Sequence, residues 1–207
     1  MTRPTLVGLT GSIGMGKTET ARMFARLGIP VYDADAAVHR LYEPGGAAVA
    51  AIAASFPDCV ADGRVDRDHL AAAVRKLPDG LQRLEAIVHP LVAEEQRKFL
   101  AAAEASGADI VLLDIPLLFE TGSHARMDAV VVVSAPSDVQ RARVLERPGM
   151  TADKLDHILA RQMPDAEKRA KAHFVIETDK GLGHAFRQVE QVVAALRAKR
   201  LKDQNSA

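Results

Sequence analysis

An apolar run, Thr5–Thr10, leads straight into Gly11-Ser12-Ile13-Gly14-Met15-Gly16-Lys17-Thr18, and these residues open a segment of helical character, 17–27. No other feature of the chain narrows its possible folds as far. The eight residues match G-x-x-x-x-G-K-S/T in the setting that pattern requires, after a strand and at a helix start. The glycines let the backbone curl so that successive N–H groups face one anion, and the helix N-terminus adds partial positive charge. Lys17 can bridge β- and γ-phosphates, and Thr18 can ligate Mg²⁺. Residues 11–18 therefore read as the cradle of a nucleoside triphosphate. A merely flexible glycine turn is the bland alternative, and the flanking strand and helix tell against it.

Three further runs rich in Val, Ile and Leu, namely Ile110–Asp114, Ala129–Ser134 and Phe174–Glu177, have the character of buried parallel strands. A fainter one, 30–33, comes after the helical segment and the helix-stopping Gly28, as a strand-helix-strand unit requires. The expected class is α/β. Between 36 and 106 no strand is expected. That stretch holds alanine-rich helical segments, 47–56, 68–76, 81–88 and 91–105, broken at Pro44-Gly45-Gly46, Pro57, Asp62-Gly63, Pro78-Asp79-Gly80 and Pro90. It reads as a helical insertion between the second and third strands. After the fourth strand, Ser137-x-x-Gln140 resembles a capping box, Pro148-Gly149 ends that helix, and Thr151 can cap the next. The helical pair within 137–173 is a candidate lid. A last helix, 185–201, carries Phe186, Val189, Val192, Val193 and Leu196 on one face.

Charge and cysteine content exclude several classes. Lys plus Arg and Asp plus Glu both number 27, so no basic excess favours nucleic acid, and anion binding has to be local. Apolar residues make up 48% of the 207, which argues against disorder. Cys59 is the single cysteine and can form no internal disulfide. The first residues lack the apolar stretch of a secretory signal, so the cytoplasm is the expected compartment. Asp114 and Pro116 interrupt the most hydrophobic stretch, 110–119, and no membrane span is expected. The seven histidines show no metal-ligand spacing, and His124, His157 and His184 read as surface residues.

Several residues carry candidate chemistry. The chain contains neither Asn-Lys-x-Asp nor Asp-x-x-Gly, which disfavours a GTPase switch. Asp33 and Asp35 end the short second strand, and ligands of doubly wound sheets bind at that edge. Asp33 is the candidate base for an attacking hydroxyl, with strand-end capping as its alternative; for Asp35 a helix cap is the preferred reading. Asp114, at the end of a buried strand, has the form of a carboxylate that holds Mg²⁺ through water, or else caps the segment after it. The segment 137–173 is rich in Arg and Lys, and most of these read as a solvated face. Arg147, beside Pro148-Gly149, and Arg161, expected on the returning helix, are placed to close over a triphosphate. His89 precedes Pro90, which is expected to end a helix; it either faces a substrate or marks that termination.

Together these residues identify a resemblance. The run from Val7 to Thr18, then Asp33-Ala34-Asp35, His39, Glu43-Pro44-Gly45, His89-Pro90, Pro116-Leu117-Leu118-Phe119-Glu120 and Gln140-x-x-Arg143-x-x-x-Arg147 are similar, in that order, to the dephospho-coenzyme A kinase family. The resemblance covers nearly the whole chain. It implies a P-loop NTPase fold, a three-layer α/β sandwich on a five-stranded parallel sheet, with residues 1–35 and 107–207 as nucleotide-binding core and 36–106 as a helical acceptor-binding insertion. It also implies ATP as co-substrate with Mg²⁺, and dephospho-coenzyme A as acceptor. In that likeness residues 11–18, Arg143 and Arg147 hold ATP, Asp33 activates the 3′-hydroxyl, and Lys17 and Arg147 act on the transferring phosphoryl group. His39, Arg40, His89, Pro116, Leu117, Glu120 and Arg161 line or support the acceptor site, and Thr18 and Asp114 serve the metal. Two departures stand out. Thr178-Asp179 replaces an asparagine-containing turn, and Met163-Pro164-Asp165 replaces an ordinary helical link. The rival readings are another small-molecule kinase of nucleoside or nucleotide type, and an NTP-binding switch.

Overall fold

The computed structural model describes residues 3–205. Its elements run β1 (Thr5–Thr10), α1 (Lys17–Arg26), β2 (Val31–Asp33), α2 (Ala34–Tyr42), α3 (Val49–Ser55), β3 (Val60–Ala61), β4 (Arg64–Val65), α4 (Arg67–Lys76) and α5 (Gly80–Ala105) in the first half. Then come β5 (Ile110–Asp114), a 3-10 turn at Ser123–Arg126, β6 (Ala129–Ser134), α6 (Ser137–Leu145), α7 (Ala152–Leu159), α8 (Asp165–Lys171), β7 (Phe174–Glu177) and α9 (Leu182–Asn205). The chain divides into two compact units: one built from its two ends, with boundaries at Tyr32 and Ala103, and one comprising Asp33–Ala102.

The first unit is organised by a five-stranded sheet of order β2-β5-β1-β6-β7. β1 pairs in parallel with β5 on one side and β6 on the other, setting Leu9 beside Asp114 and Val131, and β7 adds to β6 with Val131 opposite Phe174. Every residue of β5 and β6 is buried, as parallel strands covered on both faces should be. Alternation along β6 divides the packing. Val131 and Val133 enter a core with Val7, Leu9, Phe24 of α1 and Val189 of α9, whereas Val130 and Val132 pack with Leu118 and Phe119. The parallel α/β sheet expected from the apolar runs is therefore present. Among the described residues no helix is long and apolar enough to cross a membrane.

The second unit has its own core of Leu41, Tyr42, Ile52, Phe56, Cys59, Val65, Leu70 and Val88. Burial, with Asp58 and Asp66 nearby, pushes the Cys59 thiol pKa up. Two expectations fail here. The stretch expected to lack strands contains a hairpin, β3–β4, in which Val60 faces Val65 and Ala61 faces Arg64. Its turn is Asp62-Gly63 with φ of 51° and 74°, the doubly positive geometry for which Asp-Gly is a strong short-range signal. Pro90 does not end a helix either: α5 continues through it. The missing N–H removes one bond toward Ala86. Leu84, Ile87 and Val88 before the proline, and Leu91 and Val92 after it, all join the same core, so the apolar stripe continues across the defect.

Candidate active site

The loop between β1 and α1 turns on glycines in positions that admit nothing larger. Gly14 has φ of 79°, and a Cβ there would lie 2.5 Å from Val144 Cγ2 of α6. At Gly11 a Cβ would lie 2.6 Å from the Val133 carbonyl of β6. The loop is thus pressed against the sheet and α6. Gly16 is the N-cap of α1 and brings no side-chain oxygen to the first-turn amides, which stay aimed at the loop's mouth. Lys17 Nζ lies 2.5 Å from Oδ1 of Asp114, whose side chain is 5% exposed. Thr18, next along α1, is exposed.

Distant residues hold this loop. Ile13 is gripped twice: its N–H donates to Gln162 Oε1 at 3.1 Å, and Gln140 Nε2 donates to its carbonyl at 2.7 Å. Thr178 Oγ1 donates to the Met15 carbonyl at 2.8 Å, while Arg143 donates to Thr178 Oγ1 at 2.9 Å and to its carbonyl at 2.7 Å. Ser137 and Gln140 do not form the expected capping box. The N-cap of α6 is Pro136, no side chain caps that end, and buried Gln140 spends its amide on Ile13. Thr151 does cap α7 by accepting from the Lys154 N–H at 3.3 Å.

The segment 137–173 holds three helices rather than a pair. Arg147 lies just past α6, is exposed, and lines with Gly14, Gly16, Met23, Arg143 and Leu182 a cavity of about 280 Å³. Arg161 is not on a returning helix. It sits in the turn after α7, exposed, because α7 stops at Leu159 and Pro164 precedes α8. Lys168 departs furthest from a solvated cation: it is completely buried, with Nζ 2.9 Å from Glu120 Oε1. The same Glu120 oxygen accepts the Met163 N–H at 2.8 Å. Burial pushes the Glu120 pKa up, and Lys168 with the Met163 N–H outweighs it, leaving the carboxyl below its ordinary value.

Asp33 is the N-cap of α2, its Oδ1 accepting the Ala36 N–H at 2.9 Å, so the cap expected of Asp35 belongs to Asp33, and Asp35 lies inside the first turn. His39 and Arg40 are exposed on α2, with His39 Nε2 3.4 Å from Glu43. His39, Asp35 and Arg67 line a cavity of about 520 Å³. His89 is exposed on α5. In the other unit the Pro116 carbonyl accepts from Thr10 Oγ1 at 2.9 Å, and Leu117 is 41% exposed while Leu118 and Phe119 are buried. His124 is not a free surface residue. It is half-buried with its ring 5.1 Å from that of Phe119.

A phosphate loop with a lysine paired to a strand-end carboxylate is shared by many enzymes, and comparison with known proteins narrows the choice. The family model for dephospho-CoA kinase matches residues 5–184. The chain belongs to this family. It is similar to a dephospho-CoA kinase of Brucella melitensis, with 55% identity over 194 residues, 94% of this chain and 96% of that one. A crystal structure of a Thermus thermophilus protein is 34% identical, with a TM-score of 0.82 over 94% of this chain and 98% of the other. The dephospho-CoA kinase of Campylobacter jejuni shares the fold at 19% identity, TM-score 0.64, over 93% and 97%. As a member of the dephospho-CoA kinase family the chain is a phosphate-transferring enzyme with the P-loop kinase fold, and the family implies ATP as its co-substrate.

Proposed function

We propose that the chain transfers the γ-phosphate of ATP to the ribose 3′-hydroxyl of dephospho-CoA, yielding coenzyme A in the last step of its synthesis. The observation that carries the reading is Lys17 paired with buried Asp114 beside a loop that admits only glycine at Gly11 and Gly14. Phosphoryl transfer asks little covalent chemistry of the protein; positioning and charge neutralisation dominate. The amides of residues 11–18 hold the phosphates, and Lys17 neutralises charge growing on the β–γ bridge. Arg143, fixed by Thr178, and Arg147 add cations on the nucleotide side. The cavity that Arg147 lines is walled by Met23, Leu182 and Ala185, apolar surface suited to an adenine ring.

Asp33 takes the proton of the attacking hydroxyl. For the acceptor, His39, Arg40 and His89 are exposed candidates in the Asp33–Ala102 unit, and Pro116 and Leu117 offer surface in the other, with Glu120 as a supporting residue of the same segment and Arg161 as a further cation. The Thr18 hydroxyl, and Asp114 through water, would hold a Mg²⁺ of the kind that is bound by few protein groups together with substrate phosphates and needs no dedicated all-protein cage; none of three or more His, Cys, Asp or Glu exists among the described residues. When bound, the ion spreads the negative charge of the phosphate oxygens. Residues 137–173 act as a lid that keeps water from the γ-phosphate. The reading is of a cytoplasmic enzyme, consistent with its one cysteine, Cys59, being unpaired and buried.

The test offers Mg-ATP with dephospho-CoA, adenosine and AMP as competing acceptors. Selective 3′-phosphorylation of dephospho-CoA is expected; transfer to adenosine or AMP instead would replace this acceptor with a nucleoside or nucleotide.

A further inference from the structure

A completely buried lysine is expensive, and Lys168 has one compensating charge, the 2.9 Å contact to Glu120. Beyond that contact, Nζ meets no hydrogen-bond partner among the described residues, and Glu120 Oε2 is buried without one as well. Two apolar residues of similar volume would fill this space at lower cost, so stability alone gives a poor account of the pair. What the pair touches gives a better one. Glu120 comes directly after Phe119 in the segment beyond β5, the strand that ends in Asp114, the partner of Lys17. Lys168 lies on α8. Between them Glu120 Oε1 accepts the Met163 N–H, and the preceding residue, Gln162, accepts the Ile13 N–H of the phosphate loop. The turn from Leu159 to α8 is therefore tied at Gln162 to the cradle and at Met163 to the half-buried Glu120 carboxylate.

We propose that Glu120 and Lys168 are positioning residues for phosphoryl transfer, acting through Met163 and Gln162 on the Ile13 peptide. The chain of contacts runs Lys168, Glu120, Met163, Gln162, Ile13. Gln140 grips the same peptide from its carbonyl side, so the Ile13 plane is set by two side chains, and only the Gln162 grip depends on the buried pair. Rotation of that peptide would re-aim the neighbouring amides of a loop whose function is to aim amides. Lys168 and Glu120 touch neither phosphate nor acceptor in this scheme. The inference rests on residues 11–18 being the phosphate cradle.

Five variants test it, with kcat, KM for ATP and KM for dephospho-CoA measured for each alongside thermal melting. Gln162→Leu removes the acceptor for the Ile13 N–H at a part-exposed position, and Gln162→Glu restores an oxygen there. Lys168→Met leaves the half-buried Glu120 carboxylate without its cation and is expected to melt early. Glu120→Leu/Lys168→Met removes both charges and the acceptor of the Met163 N–H, and is expected to melt above Lys168→Met while remaining slow. The expected loss for Gln162→Leu and for the double variant is about tenfold to a hundredfold in kcat, the scale on which displaced positioning groups act, with KM for dephospho-CoA unchanged in Gln162→Leu. Gln162→Glu should recover most of it. Adding Gln162→Leu to the double variant should cost nothing further, because both break the same chain of contacts. A double variant that is stable and fully active, or losses that simply multiply, would overturn the proposal. So would a wild-type protein that binds no ATP, which would discard the cradle along with it; a wild type that binds and transfers while Gln162→Leu is indistinguishable from it discards the positioning role alone.

Discussion

Asp33 combines two duties on one carboxylate: Oδ1 caps α2 through the Ala36 N–H, and the group is the proposed proton acceptor. Substitution separates them. Asn caps helices as well as Asp does, so Asp33→Asn should leave the melting temperature unchanged while kcat falls by about 10²- to 10⁴-fold, the usual contribution of a positioned base. Asp33→Ala should lose the same activity and also about 1 kcal/mol of stability, the typical value of an N-cap. An Asn variant with wild-type kcat would move the base elsewhere. Legibility at this scale depends on sequence distance. Gly14, Gly16 and Lys17 could be read because their work is local, a left-handed turn at a helix start. The contacts of Gln140, Gln162 and Thr178 could not, since they reach Ile13 or Met15 across 127, 149 and 163 residues. Lys168 was hidden for a related reason: in sequence it sits in a cation-rich helical stretch, and only the position of Glu120 makes it a core residue.

Elements were most readable where burial is uniform. β5 and β6 are buried throughout, and their Val- and Leu-rich runs announce it. The β3–β4 hairpin escaped because its strands are two residues each, too short for any alternation, although Asp62-Gly63 signals the turn. In α5 a strong local rule about Pro90 lost to an apolar stripe shared with the rest of the unit's core. The start of β1 rests on a tie that is open to a pH experiment. Asp128 takes a two-pronged contact from Arg3 at 2.7 Å in each arm and accepts the Leu6 N–H at 2.8 Å, while its own N–H donates to the Leu6 carbonyl. Arg3 holds the Asp128 carboxyl below the ordinary carboxylate range; burial opposes this, and the Leu6 N–H adds to it. Because the folded pKa is the lower one, the contribution is present above the unfolded value of about 4 and is lost as pH falls through the folded value. Asp128→Asn should lower stability at pH 7 by about 1 kcal/mol or less, given how exposed Arg3 is. Melting curves of the two proteins should converge as the pH falls through the folded Asp128 pKa, below the ordinary carboxylate range, where wild-type Asp128 is protonated as well. A gap that persists there would assign the loss to packing rather than charge.

Two separate hydrophobic clusters, one around Val131 and Phe24 and one around Ile52 and Phe56, give the whole molecule two centres of stability. The division matters for function because the cradle, Lys17, Asp114, Arg143 and Arg147 all belong to the unit made from the chain ends, whereas His39, Arg40 and His89 belong to Asp33–Ala102. If the latter unit serves the acceptor, damage to its core should spare nucleotide binding. Phe56 is 1% exposed, and Phe56→Ala should cost about 3–5 kcal/mol, a large part of what a small domain has. We expect calorimetry to find ATP affinity within about twofold of wild type, a difference of under 1 kcal/mol, while dephospho-CoA binding and transfer are lost. Hydrogen exchange should lose protection across α2, α3 and α4 and keep it in β1, β5 and β6. ATP affinity falling in step with acceptor affinity would mean that the cradle needs the second core to hold its shape. Acceptor binding that survived with α3 unprotected would remove Asp33–Ala102 from the acceptor site and leave its exposed His39, Arg40 and His89 as surface groups alone.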